Sequence, residues 1–316
     1  MVGNMSPAIS IILATYNGER YLSDQIESLL AQNYKDWQLI ISDDGSSDKT
    51  IDVIRKYVRK YPVAIKVLKN EAGNVGPSQN FLRLLGCIDT NYAMFCDQDD
   101  VWFPEKIKIT MDKMKEIEAK VSIVTPVLIH TDLGVADRNL NVIADSFWKY
   151  QNLHPEKGKT LNRLLVQNVL TGCTMMINKA LRDKIKLFPE QTIMYDWWIA
   201  LLAAAFGKID YVPSATILYR QHDSNNIGAK GWSWSYIANM TRLNKREFEN
   251  ILRKTREQAK AFLDIFRDEL TKTHIDLLEA YSSLDRQSFF GKRLNLIKYK
   301  FFKIGLIRNI GLFWFV

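Results

Sequence analysis

The chain has little cysteine, little histidine and no long apolar run. Its three cysteines, Cys87, Cys96 and Cys173, show no CxxC spacing. An odd count of this kind predicts free thiols in a reducing compartment, used as small core residues. No uninterrupted apolar stretch approaches the roughly 20 residues of a membrane span. Met1–Ala8 has no basic n-region and only a strand-length apolar run follows it. No secretory signal is therefore expected, and the chain reads as cytosolic. There is neither a GxGxxG after the first apolar run nor a GxxxxGK followed by Ser or Thr, which argues against a dinucleotide fold and a P-loop. The four histidines are few for the two-metal site of a phosphodiesterase or nuclease. Internal repeats and low-complexity segments are absent.

Acidic residues are missing from one stretch in particular. Residues 286–316 hold seven of the 43 basic residues and no Asp or Glu, so the first 285 carry 36 basic against 35 acidic. The net charge of +8 is a property of the C-terminus. A nucleic-acid-binding surface would spread such charge over a face or groove, so no nucleic acid is expected as partner. The tail FFGKRLNLIKYKFFKIGLIRNIGLFWFV interleaves Lys292, Arg293, Lys298, Lys300, Lys303 and Arg308 with Phe, Leu, Ile and Trp. That composition fits an interfacial helix on an anionic membrane, and Arg308 and Asn309 interrupt any spanning reading. A helix packed on the domain, or in a homo-oligomer interface, is the alternative.

What is present alternates. Apolar runs at Ile9–Ala14, Trp37–Ile41, Val63–Leu68 and Tyr92–Phe95 read as strands. Helical spacing marks Glu19–Asn33, Thr50–Tyr61 and Pro77–Leu85. The fold class expected is α/β, a Rossmann-like, mostly parallel sheet with flanking helices. Further strands are expected at Val121–Val124, Val127–His130 and Cys173–Ile177. A helical region from about Ala229 includes a long amphipathic helix through Phe248–Leu270 and another around Leu277–Tyr281. The domains are accordingly 1–228 and 229–316.

In parallel sheets ligands bind at the carboxyl ends of strands, and polar clusters sit at three of those ends. Thr15-Tyr16-Asn17-Gly18 follows the first strand, Asp43-Asp44 the second and Asp97-Gln98-Asp99-Asp100 the fourth. Carboxylates this close repel and resist desolvation unless something offsets the cost. A D-x-D at a strand end suits a hard divalent cation, Mg²⁺ or Mn²⁺, bridging to phosphate oxygens. A solvated turn in which Asp99 or Asp100 caps a helix near Pro104 would use the same residues. Asp43-Asp44-Gly45-Ser46 also reads as an Asx turn with a helix cap at Ser47 or Asp48.

The segments SIILATYNGERYLSDQIESLLAQ, LIISDDGSSDKT, NVGPSQNF and FCDQDDVWFPEKI, in this order and spacing, resemble family 2 glycosyltransferases of the GT-A fold. TGCTMMI, YDWWIALLAAAFGKI and LYRQHDSNN extend the resemblance, over residues 8–230, to bacterial rhamnosyltransferases of cell-wall or capsular polysaccharide synthesis. The resemblance implies that Thr15, Asn17, Glu19 and one or both of Asp43 and Asp44 contact the nucleoside, with Asn74 and Asn80 near the donor. It implies Asp99 as direct metal ligand, with Asp97 on the metal or ribose. His222 would be a further metal or pyrophosphate contact, and Lys106 and Arg220 phosphate contacts. Asp196 matches the catalytic base, although Tyr195 stands where many members carry Glu. A helix N-cap is the structural alternative for Asp196. Trp197, Trp198 and Trp102 are sugar-stacking candidates, at least one of the Trp197–Trp198 pair being expected in the core.

The implied activity is inverting, metal-dependent transfer of L-rhamnose from dTDP-β-L-rhamnose to a polyprenyl-diphosphate-linked saccharide. It would take place at the inner face of the cell membrane. The same fold with a UDP-hexose donor is the nearest alternative. A non-catalytic membrane adaptor would need the basic tail but not Asp196.

Overall fold

A computed structural model describes residues 7–70, 73–222 and 245–316. Along the chain run β1 (Ile9–Thr15), α1 (Leu22–Leu30), β2 (Trp37–Asp43), α2 (Thr50–Lys60), β3 (Ile65–Leu68) and α3 (Pro77–Gly86). Next come β4 (Tyr92–Cys96), β5 (Val101–Trp102), α4 (Lys106–Val121), β6 (Val127–Ala136), β7 (Val142–Ala144) and β8 (Met176–Asn178). α5 (Tyr195–Phe206), β9 (Lys208–Arg220), α6 (Lys245–Phe266), α7 (Lys272–Ser282), α8 (Phe289–Lys298) and α9 (Leu306–Phe315) follow, with single-turn helices between the longer elements. No described helix is long and apolar enough to cross a membrane.

The strands form one sheet in the order β3-β2-β1-β4-β8-β6-β9-β5, with β7 on β6. β3, β2, β1 and β4 are parallel neighbours, whereas β8 lies antiparallel to β4 and β6, and β5 antiparallel to β9. β1 and β2 are apolar because they are central and covered on both faces; Ile9, Ile11, Ile12, Leu13, Leu39 and Ile41 are fully buried. The register pairs Thr15 with Asp43, so the first two polar clusters leave the sheet side by side.

The chain divides into two compact units. The first comprises Met1–Phe147, Thr171–Phe188 and Asp210–Gly228, and holds the sheet. The second comprises Trp148–Leu170, Pro189–Ile209 and Ala229–Val316. Two inner segments thus group with the C-terminal helices, and the expected boundary at 228/229 lies outside the described residues. The reason is α5. It is apolar around its whole circumference, so it needs cover on all sides. Trp198 meets Phe262 and Phe266 of α6 at 5.3 and 6.4 Å, and Ile193 N donates to Gln258 Oε1 at 2.9 Å. Thr255 Oγ1 and Tyr281 O–H, 2.8 Å apart, join α6 to α7 inside the same core.

The α/β architecture with C-terminal helices is the one expected, and the local differences have physical causes. The strand expected at Val121–Val124 is not one. α4 runs to Val121, Ser122 takes φ +134°, and Ile123 and Val124 are exposed, so no sheet face receives them. Cys173 falls in a 3₁₀ turn, Gly172–Thr174, and the strand begins only at Met176. The expected Val127–His130 strand continues to Ala136, buried throughout. α4 begins at Lys106, so neither Asp99 nor Asp100 caps it. Cys96 and Cys173 are buried as expected, but Cys87 is exposed; all three are free thiols.

Candidate active site

The first two strand ends are sewn together by side chains. Thr15 Oγ1 donates to Asp43 Oδ1 at 2.9 Å, and Asp43 Oδ2 accepts from the backbone N–H of Gly45 and Ser46 at 3.1 and 2.8 Å. This is the expected Asx turn, and Gly45 at φ +86° permits it, but the cap of α2 is Lys49 and not Ser47 or Asp48. Ser47 N donates to Asn17 Oδ1 at 2.8 Å and Lys49 N to Glu19 Oε2 at 2.8 Å. In return Asn17 N donates to Ser46 Oγ and Gly18 N to Thr50 Oγ1, both at 2.8 Å. The two loops therefore exchange side-chain-to-backbone bonds in both directions. Asp44 performs the same service for a third loop, accepting from Val75 N at 2.9 Å and Gly76 N at 2.8 Å, which positions exposed Asn74. Buried carboxylates survive here because backbone N–H groups satisfy them.

The acidic turn after β4 is held on two sides. Gln98 clamps the β1 loop through both amide atoms: Oε1 accepts from Tyr16 N at 2.8 Å and Nε2 donates to Tyr16 O at 2.9 Å. Arg220, at the end of β9, donates from Nε to Asp99 O, from Nη1 to Arg138 O and from Nη2 to Asp24 Oδ2, at 2.9, 3.0 and 2.8 Å. Its backbone N–H donates to Asp100 Oδ1 at 3.2 Å, and its guanidinium lies 4.4 Å from the Tyr21 ring centroid. Two residues further, His222 Nε2 lies 2.8 Å from Asp99 Oδ2, its ring against Tyr21 at 4.9 Å.

The three carboxylates within four residues do not share one environment. Asp100 is fully buried, and desolvation, with Asp99 and Asp97 nearby, pushes its pKa well above the ordinary carboxyl range. Cys173 lies beside it, and one ligand atom each from Asp97, Asp100 and Cys173 falls within 4.8 Å. Burial raises the Cys173 thiol as well, so it stays protonated and makes a poor partner for a hard cation. The oxygen and imidazole donors of Asp97, Asp99 and His222 suit Mg²⁺ or Mn²⁺ better.

Several expected contacts are otherwise employed. Lys106 has no exposed surface. Its ammonium lies 4.5 Å from the Trp102 ring centroid and 3.4 Å from Thr216 Oγ1, and desolvation lowers its pKa to about 8. It is neither a surface lysine nor open to a phosphate. Trp102, 2% exposed, and Trp198, with none, are core residues and offer no face to a sugar. Asn80 is buried and donates to Ser42 O at 2.9 Å, supporting the end of β2 from behind. Arg220 has every guanidinium nitrogen engaged within the protein and so is no open phosphate clamp. Thr15 is buried, whereas Asn17 and Glu19 are exposed.

Asp196 belongs to the second unit. It lies in the first turn of α5, which Met194 caps, and its Oδ1 accepts from Trp197 N at 2.6 Å and Asn168 Nδ2 at 3.3 Å. It is thus not the N-cap. Trp197 is half-buried and donates Nε1–H to Leu164 O at 2.6 Å. Gln98, Tyr21, Asp24, Asn168 and the Asp100–Cys173 neighbourhood are contributions that sequence reasoning missed. Gln98 was accessible as the middle residue of the D-x-D; the others carry no local signal.

The family model described as glycosyl transferase family 2 matches residues 10–185, more than half the chain. The dTDP-rhamnosyl transferase RfbG of Shigella flexneri is 29% identical over 228 residues, 69% of this chain and 74% of RfbG. The structure of S. aureus TarS 1-349 in complex with UDP-GlcNAc superposes with a TM-score of 0.59 at 19% identity, over 92% of this chain and 75% of TarS. The mannosyltransferase PcManGT of Pyrobaculum calidifontis, in complex with GDP-Man and Mn²⁺, gives 0.53 at 14% identity, over 93% of this chain and 74% of PcManGT. The last two likenesses concern the fold.

Proposed function

Since this chain belongs to glycosyl transferase family 2, we propose that it transfers L-rhamnose from dTDP-β-L-rhamnose to a lipid-linked saccharide with inversion at the anomeric carbon. The observation that carries the reading is that Gln98, beside Asp99, ties the sewn β1 and β2 loops to the Asp99–His222 pair within one unit. The similarity to RfbG supports the donor.

In this reading the acceptor hydroxyl oxygen bonds to the anomeric carbon as the bond from that carbon to the diphosphate oxygen breaks. The bonding pair leaves with the nucleoside diphosphate, and the hydroxyl proton passes to the Asp196 carboxylate. Asn168 and the Trp197 N–H hold one oxygen of that carboxylate. Asp97, Asp99 and His222 would hold Mg²⁺ or Mn²⁺, which, when bound, supplies neutralising charge for the departing diphosphate. Asn17, Glu19 and Asn74 face the nucleoside from loops that Asp43 and Asp44 keep in place. The lipid-linked acceptor implies work at the cytoplasmic face of a membrane.

The test is release of free nucleotide from dTDP-rhamnose and from a panel of UDP-sugars, with and without Mg²⁺ or Mn²⁺. Metal-dependent turnover of dTDP-rhamnose is expected. Turnover of a UDP-sugar alone would keep the mechanism and overturn the donor. No turnover of any donor would overturn the transferase reading.

A further inference from the structure

We propose that α8 and α9 together form a rigid face that docks on an anionic phospholipid bilayer. The exposed residues are apolar and regularly spaced. α9 presents Leu306, Ile310 and Trp314 at intervals of four, and α8 presents Phe289, Phe290, Leu294 and Ile297; these seven side chains are 58–78% exposed. Both helices also have a buried side, Leu296 on α8 and Leu312 on α9, so they are packed and still leave this surface uncovered. The two helices meet along a groove at Phe289. Phe289 and Arg293 of α8 line one groove of about 490 Å³ with Leu306, Ile310, Phe313 and Trp314 of α9.

The helix pair is fastened from within the second unit. Arg293 donates to Phe313 O at 2.8 Å and to Val316 O at 3.3 Å, closing the end of α9 onto α8. Its guanidinium also lies 3.4 Å from the Phe289 ring centroid. Arg308, buried, donates to Gln151 O and Asn152 O at 2.7 and 3.0 Å. This is not a loose tail waiting to fold back on its own core. Seven exposed large apolar side chains gathered on one helix pair suit a partner surface.

Charge selects the partner. Residues 286–316 contain no acid, and exposed Lys298 and Lys300 accompany the apolar stripes. A second copy of this face would bring like charge against like charge, whereas anionic headgroups neutralise it. Phe and Trp beside Lys is the side-chain mixture of an interface-parallel helix, and ten residues per helix are too few to span. The inference deepens the membrane reading given with the lipid-linked acceptor and takes its purpose from it, but its physical basis does not involve the donor site.

Co-sedimentation of the full chain with vesicles tests it, comparing phosphatidylcholine alone with phosphatidylcholine mixed with phosphatidylglycerol. Binding to the mixed vesicles only, weakened by salt, is expected. Phe290→Glu/Trp314→Glu should weaken it at least about tenfold, and so should Lys298→Glu/Lys300→Glu, which leaves the apolar stripes intact. Wild-type protein that stays in the supernatant with mixed vesicles would overturn the proposal. So would binding that neither variant weakens, or a wild-type dimer in sedimentation velocity that Phe290→Glu/Trp314→Glu dissociates. Nucleotide release with a water-soluble acceptor is read on the same proteins. Lost vesicle binding with retained turnover supports the docking face; vesicle binding without any turnover leaves it standing and overturns only the transferase reading.

Discussion

His222 Nε2 and Asp99 Oδ2 share a hydrogen bond of 2.8 Å, and Arg220 Nε donates to the main-chain carbonyl of the same aspartate at 2.9 Å. Two residues from the end of β9 thus fix the second carboxylate of the D-x-D from both its ends. Tyr21 lies against both of them. If Asp99 holds the metal as proposed, Asp99→Asn should abolish metal-dependent nucleotide release. His222→Gln should raise the Mn²⁺ concentration for half-maximal release about 10–100-fold, the usual effect of losing a residue that ligates or orients. An Mn²⁺ titration of nucleotide release distinguishes these outcomes. An unchanged midpoint in His222→Gln would remove it from the metal site.

Gln98 and Gly18 form a second testable pair. A Cβ at Gly18 would clash with Gln98 Oε1, so Gly18→Ala must displace the amide that brackets Tyr16 with two hydrogen bonds. Each lost bond is worth about 1 kcal/mol. Gly18→Ala should therefore raise the KM for donor, and Gln98→Ala should do the same. Once the added methyl group has pushed the amide aside, removing that amide costs little more, so the double variant should be clearly sub-additive. Additive effects in a double-mutant cycle would mean that the clamp does not set the loop.

Much of this was legible in the sequence because it is local. β1, β2 and β4 are predominantly apolar runs, and the polar residues that follow them sit at the strand ends the pattern implies. The Asx turn at Asp43 needed only its Gly45 and Ser46 neighbours. Burial depends on partners distant in sequence, and there the reading failed. Lys106 looks like the exposed start of a helix, yet Trp102 and Thr216 enclose it. Arg220 looks like a phosphate clamp, yet Asp24, 196 positions away, takes its Nη2. The Trp197–Trp198 pair divides only because α6 covers Trp198.

The buried Lys106 has a pH signature. Its pKa is about 8 in the native protein against 10.5 when free. Below pH 8 both states are protonated, and burying the ammonium costs the native state about 3 kcal/mol. Between pH 8 and 10.5 the unfolded chain keeps a proton that the native state has released, so stability rises with pH from this group. Lys106→Met lacks the penalty at every pH. Its stability relative to wild type should fall by about 3 kcal/mol as the pH is raised through that window. Cys96, Cys173 and Tyr219, whose buried groups are all pushed up, oppose this trend in both proteins; the two thiols oppose it more in Lys106→Met, which lacks the ammonium that lowers them, and this adds to the expected fall. Urea unfolding of both proteins across the window measures it, and a constant difference would mean that Lys106 is not a buried ammonium at neutral pH.

Asp196 and Asn168 separate chemistry from positioning. Asp196→Asn keeps an oxygen for the Trp197 and Asn168 donors but cannot take a proton. It should lower kcat about 10²–10⁴-fold and leave donor affinity unchanged, since a general base contributes to the transition state alone. Asn168→Ala leaves the Asp196 carboxylate intact and frees only its orientation. Its loss in kcat should be smaller, and Asn168→Asp should not restore activity, because a second carboxylate would repel the first and raise its pKa. That last variant should shift the acid limb of the kcat–pH profile to higher pH, whereas a purely structural Asn168 would leave the limb in place. Donor affinity measured by calorimetry, with kcat and its pH profile from nucleotide release, decides the matter. Full activity in Asp196→Asn would exclude it as the base and return α5 to a supporting role.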